Sequence, residues 1–300
     1  MKERVLFGFT VDDVALDGWS TPEHLDNLVE FCNRQEIAAT FFAVPENDAG
    51  IPLGERREYC GVLKKLLESG HEIGQHGIRH ERFEIGIPPQ MILELPHEGP
   101  ARKFLAENRE RLMAELTAPN IRRKLEYGRG LLESALGVPV RGFRAPALQV
   151  CGELYRALGE AGYRYDSSAC LQETGWDYLN GRCETAPREI NRERFEALQK
   201  VPAIPVWPLT TDYTWFLAPE HYMLSMKLAQ HDFRQCRAAG IPFVTVCHVS
   251  PVQDGKENCG LRFWAELLAW MREEAEREGF SLQSATLGEI TDKRKDESWN

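Results

Sequence analysis

The sequence predicts an α/β fold in which parallel strands and helices alternate around a barrel. Three observations predict it. Short apolar runs rich in β-branched and aromatic residues alternate with longer runs of helical periodicity, glycine stops and cap residues separate them, and the pattern recurs seven or eight times along 300 residues without a low-complexity linker.

The first strand is read in "RVLFGFTV". Behind it "PEHLDNLVEFCNRQ" repeats Leu25, Leu28, Val29, Phe31 and Cys32 at helical spacing, and Thr21 before Pro22 supplies an N-cap followed by a first-turn proline. "IAATFFAVP" follows as the second strand, "RREYCGVLKKLLESG" as a helix with its glycine stop, and "HEIGQHG" as the third strand. Helix "NIRRKLEYGRGLLESALG", strand "VRGFRAP", helix "CGELYRALGEAG" and strand "YRYDSS" make the middle of the chain. The last third carries "AIPVWPL", "HYMLSMKLAQHDFRQCRAAG", "PFVTVCHVSP", "FWAELLAWMREEAEREG" and "SLQSATL" in the same alternation. Two segments, 81–118 and 169–200, break the rhythm. In a single barrel domain spanning 1–300, such excursions belong at the carboxyl ends of strands, where active sites are assembled.

With 43% hydrophobic and 27% charged residues, the composition is that of a soluble globular protein. A net charge of -10 argues against a general nucleic-acid binder, which needs a cationic footprint to displace counterions, and the basic stretch "NIRRKLEYGRG" reads as a solvated helix face. No run approaches the ~20 apolar residues of a membrane span, and "MKERVLFGFTVDD" lacks the apolar stretch of an export signal. Eight cysteines without a CxxC pair read as reduced thiols of a cytoplasmic protein, not as a zinc site. A homo-oligomer is compatible with all of this.

Chemistry gathers at the strand ends. The first strand finishes on adjacent acids, Asp12 and Asp13, a costly pair unless a positive group compensates one of them or the two hold different roles. The third runs into His76 and His80, whose i, i+4 spacing brings two imidazoles to one side, where an acid and water would complete an open metal site. Arg144, Asp212 and His248 end three further strands on the same rim. On this reading Asp13 binds a divalent metal and Asp12 acts as base. Bland alternatives stand beside each: an acid pair starting a loop, Arg144 simply pairing a buried acid, Asp212 capping a turn, His248 as a core histidine. Trp207, Tyr213, Trp215 and Phe216 could stack on a sugar ring or pack a core, and Asp166 could line the pocket or hold a turn with the serines after it.

"TVDD", "HGIRH", "FRAP", "TTDY" and "VTVCH", with "ATFFAVP" and "GHEIGQHG" between them, resemble the NodB-type polysaccharide deacetylases of carbohydrate esterase family 4, whose fold is an irregular (β/α) barrel. The resemblance runs from about Val5 to Pro251. It implies that Asp13, His76 and His80 are metal ligands, Asp12 the general base, Arg144 its orienting partner and His248 the general acid, tuned by Asp212 of an Asp-aromatic pair completed by Tyr213. "YRYDSS" and the absence of an export signal resemble the cytoplasmic branch with peptidoglycan-deacetylase-like and allantoinase-like members. Gly77 departs from the pattern, standing where the family often has a Ser or Thr hydroxyl that steadies the metal-binding loop. Ala147 likewise replaces a common aromatic groove wall.

The implied reaction is metal-dependent removal of an N-acyl group, acetyl or formyl, from an amino sugar or related small amide such as a soluble glycan precursor. Zinc suits two histidines and an aspartate, and cobalt, nickel or iron accept the same ligands. The alternatives are a metal-free hydrolase of cyclic amides of the allantoinase-like type, and a non-catalytic carbohydrate-binding relative. His97, or residues of "ETGWDYLNG", are expected near the metal.

Overall fold

The computed structural model describes residues 3–200 and 204–296. In chain order they form β1 (Arg4–Val14), α1 (Pro22–Arg34), β2 (Ala39–Ala43), α2 (Arg57–Glu68), β3 (Glu72–His76), α3 (Gln90–Leu93), α4 (Gly99–Glu115), α5 (Ala118–Leu136), β4 (Gly142–Arg144), α6 (Gly152–Glu160), β5 (Tyr165–Asp166), α7 (Thr174–Leu179), α8 (Arg192–Gln199), α9 (Tyr222–Ala239), β6 (Phe243–His248), α10 (Cys259–Glu278), β7 (Ser281–Ser284) and α11 (Leu287–Asp296).

All pairings between these strands are parallel, in the order β5-β4-β3-β2-β1-β6, with β7 beside the first residues of β1. The curled sheet ringed by helices is the (β/α) barrel-like arrangement expected from the sequence. Every residue of β1 after Arg4 is buried, the continuous apolar run of a strand covered on both faces. Register aligns the strand ends: Asp12 lies opposite His248, and His76 opposite Arg144.

The run "AIPVWPL" does not form a regular strand. Ala203 lies outside the described residues, and the residues after it make only isolated bridges, Asp166 to Val206, Cys170 to Leu209 and Asp212 to Val246. Pro205 and Pro208 have no N–H to give a ladder. The irregular segment still closes the curl, since Trp207 N donates to Asp166 O and Thr210 N to Val244 O.

The main core lies around β1, where the Trp264 ring meets Phe9 edge-on at 5.0 Å. A second cluster, including Ile121, Leu125, Phe143, Leu154 and Leu158, glues α5 and α6 to β4. Thr21 caps α1 by accepting from His24 N at 3.0 Å. The first insertion carries the 17-residue α4, a helix that buries only Leu105 and Leu112. Among the described residues, no helix is long and apolar enough to cross a membrane.

Candidate active site

Successive residues of a regular strand point to opposite faces, so Asp12 and Asp13 should not share a site. They do because β1 bulges. Its register against β2 shifts between Val11 and Val14, and Asp13 takes a positive φ of 59°, a conformation aspartate tolerates better than most residues. The extra residue turns both carboxylates toward the open end of the curl.

Asp12 Oδ1 accepts from Arg144 Nη1 at 2.8 Å. The guanidinium is fully buried and donates also to Thr10 Oγ1 (2.7 Å), Ser167 O (3.0 Å) and Ser167 Oγ (2.6 Å), so four of its five N–H groups are fixed. Its flat face covers the Phe42 ring at 4.4 Å. Arg144 therefore has one orientation, and Asp12 inherits it.

Asp13 Oδ1 lies 3.4 Å from His76 Nε2 and 3.1 Å from His80 Nε2. The other nitrogen of His76 stands 3.0 Å from the carbonyl oxygen of Arg144, which can only accept; Nδ1 therefore carries a proton, and in the neutral ring the lone pair free to coordinate is that of Nε2. Burial opposes ionisation of Asp13, yet the charges of His80 and His248 hold it well below the usual carboxylate range. Burial also depresses the His80 imidazole, against the pull of Asp13.

The residues fit a metal. Asp13 Oδ1 is buried without a hydrogen-bond partner, and the three candidate ligand atoms of Asp13, His76 and His80 lie within 4.8 Å of one another. One carboxylate oxygen and two imidazole nitrogens form the donor set of an open divalent site, and a cation would satisfy the orphaned oxygen.

Opposite this triad, His248 Nδ1 lies 2.7 Å from Asp212 Oδ2, while Asp212 Oδ1 accepts from Thr214 N at 2.7 Å. Burial works against protonation of His248, but the carboxylates of Asp13, Asp212 and Asp12 outweigh it and push the imidazole up to about 9. Trp215 meets the ring edge-on at 4.5 Å. Asp12, Asp13, His76, His80, Trp215 and His248 all line one cavity, together with His97 from the first insertion and Trp176 and Leu179 from the second.

Three expected substrate residues do not reach that cavity. Trp207 is 1% exposed, its Nε1 donating to Thr291 Oγ1 at 2.8 Å, because the bridge to β5 turns it inward. The Tyr213 hydroxyl donates to Asp232 at 2.7 Å and its ring stacks on Phe263, so it is a core residue. Asp166 is fully buried and holds a turn by accepting from Ser168 N and Oγ at 2.9 and 2.6 Å. Phe216 is exposed beside Trp215, and Trp19, which the sequence reading passed over, packs on Trp215 at 5.2 Å.

Glu84 was also passed over, and it explains Gly77. Its carboxylate accepts from Ile78 N at 2.9 Å and Arg79 N at 3.2 Å, bracing the loop between the two histidines from beneath. Burial pushes this acid up to about 7. A Cβ on Gly77 would stand 1.9 Å from Glu84 Oε1 and 2.4 Å from Pro146 Cγ, and φ there is 61°. The missing side chain at 77 makes room for the carboxylate that steadies the loop in its place. The departure from the Ser/Thr pattern was the available signal.

A search of curated protein sequences gives no match. Among solved structures, a candidate polysaccharide deacetylase from Mycobacterium smegmatis is similar in fold, with TM-score 0.60 and 17% identity over 100% of this chain and 92% of that one. A chitin deacetylase from the fungal pathogen Colletotrichum lindemuthianum follows with TM-score 0.52 and 13% identity over 95% and 86% of the respective chains. Residues 3–165 match the family described as polysaccharide deacetylase. With more than half of its length matched, the chain belongs to the polysaccharide deacetylase family.

Proposed function

We propose that the protein is a metal-dependent hydrolase that removes an N-acyl group from an amino sugar or related small amide. The observation that carries this reading is the orphaned Asp13 oxygen facing two imidazoles across from the Asp212–His248 pair. An apolar core does not keep such a set together for packing alone.

Asp13, His76 and His80 would hold the ion, zinc first among the metals their chemistry suits. When bound, it supplies Lewis-acid polarisation of the scissile carbonyl. Asp12, fixed by Arg144, takes the proton of the attacking water. His248, kept protonated by its carboxylate neighbours, gives a proton to the leaving amine nitrogen. Asp212 holds the ring by Nδ1 and so aims Nε2 at the cavity.

The eight cysteines are free, which agrees with a reducing compartment and supports a cytoplasmic location. Elemental analysis of the purified chain, combined with an amine-release screen over N-acetyl and N-formyl sugars and small amides, tests the function. About one divalent ion per chain and amine release from at least one substrate are expected. A metal-free chain that His76→Ala leaves unchanged in activity would overturn it.

A further inference from the structure

The cavity above the triad measures about 300 Å³, at the lower end of the ~300–1,000 Å³ spanned by small-molecule sites. Its lining divides by chemistry. Asp12, Asp13, His76, His80 and His248 serve the reaction. The remaining charged groups in the wall are tied to one another: Arg82 Nε lies 3.0 Å from both oxygens of Glu98, and His97 Nε2 lies 3.5 Å from the same carboxylate. The rest of the wall is apolar, chiefly Ile92, Leu95, Leu148, Trp176, Leu179 and Trp215.

Four of those six come from the insertions, Ile92 and Leu95 from the first, Trp176 and Leu179 from the second. The insertions meet: α3 packs against α7, and Arg182 Nη2 reaches Glu94 Oε2 at 3.2 Å. They form a joined apolar roof over one side of the cavity, while its other side runs on past His80 and Trp215 toward Asp17, Asp48 and Arg79. A sugar ring held against this roof would exchange water for hydrocarbon on the hydroxyls that face it. An aromatic or branched aliphatic group would gain from every wall contact.

We infer that the site takes a compact N-acyl amine with an aromatic or branched aliphatic substituent held under the roof of the two insertions, in preference to a glycan chain. This rests on the N-acyl hydrolase reading above and narrows it to a substrate class.

The test compares kcat/KM of the metal-loaded protein for N-benzylacetamide, apolar on the amine side, N-methylphenylacetamide, apolar on the acyl side, N-acetylglucosamine and chitotetraose. At least one of the two apolar amides should exceed both sugars by tenfold or more, and the better one identifies which side of the amide lies under the roof. Leu179→Asn should lower that preference at least tenfold through KM, with kcat little changed. If the variant does not fold, Leu179→Ala, which removes wall contacts without adding a polar group, takes its place and should move KM the same way. Sugars that match or exceed both apolar amides overturn the inference, as does a preference unmoved by either variant. Should no amide be hydrolysed, the hydrolase reading falls, and calorimetric binding then decides the pocket. Saturable binding of an apolar amide that weakens in the Leu179 variant upholds the apolar site; its absence overturns it.

Discussion

His248 Nδ1 sits 2.7 Å from Asp212 Oδ2, and the Asp212 carboxylate is itself anchored by Thr214 N at 2.7 Å. The pair is therefore built to hold a proton on His248 at neutral pH, where a free imidazole would have lost most of it. Asp212→Asn should lower the alkaline limb of the kcat/KM profile by about one pH unit, worth about 1.4 kcal/mol of proton affinity. Stability should follow the same sign. A histidine raised from 6.5 to about 9 contributes stabilisation that is complete below 6.5 and lost as pH rises through about 9. The melting-temperature deficit of Asp212→Asn should thus be largest near the acid end of that window and shrink above it. An alkaline limb that stays in place, with metal content intact, would separate Asp212 from the acid.

The bulge that brings Asp12 and Asp13 to one face also lets them do different work. Asp12→Asn should retain metal and lose turnover by roughly 10²–10⁴-fold, the usual worth of a general base. Asp13→Asn should lose metal first. Metal content per chain, read by elemental analysis beside single-turnover rates, distinguishes them, and equal metal loss in both variants would deny the division.

Glu84 braces the loop from His76 to His80 without touching either imidazole. Glu84→Ala should weaken metal affinity by about 10–100-fold, as losses of supporting groups around ligands do, measured by competition with a chromophoric chelator. Gly77→Ala should be worse tolerated, because its Cβ meets the same carboxylate and adopts a positive φ, and thermal unfolding should show it. Unchanged affinity in Glu84→Ala would leave the loop's shape to the backbone alone.

Much of this is legible in the sequence itself. Strand and helix runs carry their own periodicity, and each reacting residue stands at the end of an apolar run, so Asp12, His76, Arg144 and His248 could be assigned to one rim by counting along the chain. What was not legible depended on where a side chain turns. Trp207 and Tyr213 flank Asp212 in an irregular segment broken by prolines, where no period of two tells inside from outside. Helix α4 buries too few residues for its stripe to be read, so in the sequence the first insertion shows only as a break in the rhythm. The Asp12–Asp13 bulge is invisible in the sequence as such; two acids in a row signal a site without saying how both can face it.

Trp207 and Trp215 give the sharpest contrast between packing and site. Trp207 is sealed beneath Arg294, whose guanidinium lies 5.4 Å from its ring, and it is hydrogen-bonded to Thr291. Trp207→Ala should cost about 3–5 kcal/mol of stability, the range for a large buried aromatic, and leave KM of the folded fraction unchanged. Trp215 is half-buried, forms part of the cavity wall and presses on His248 at 4.5 Å. Trp215→Ala should cost less stability and lower kcat/KM roughly tenfold, about 1.4 kcal/mol, because substrate and imidazole both lose a wall. Denaturant melts and steady-state kinetics on the two variants read these quantities independently. If Trp207→Ala raises KM while Trp215→Ala leaves it alone, the substrate lies on the other side of the irregular segment, and the cavity above the triad is not where it binds.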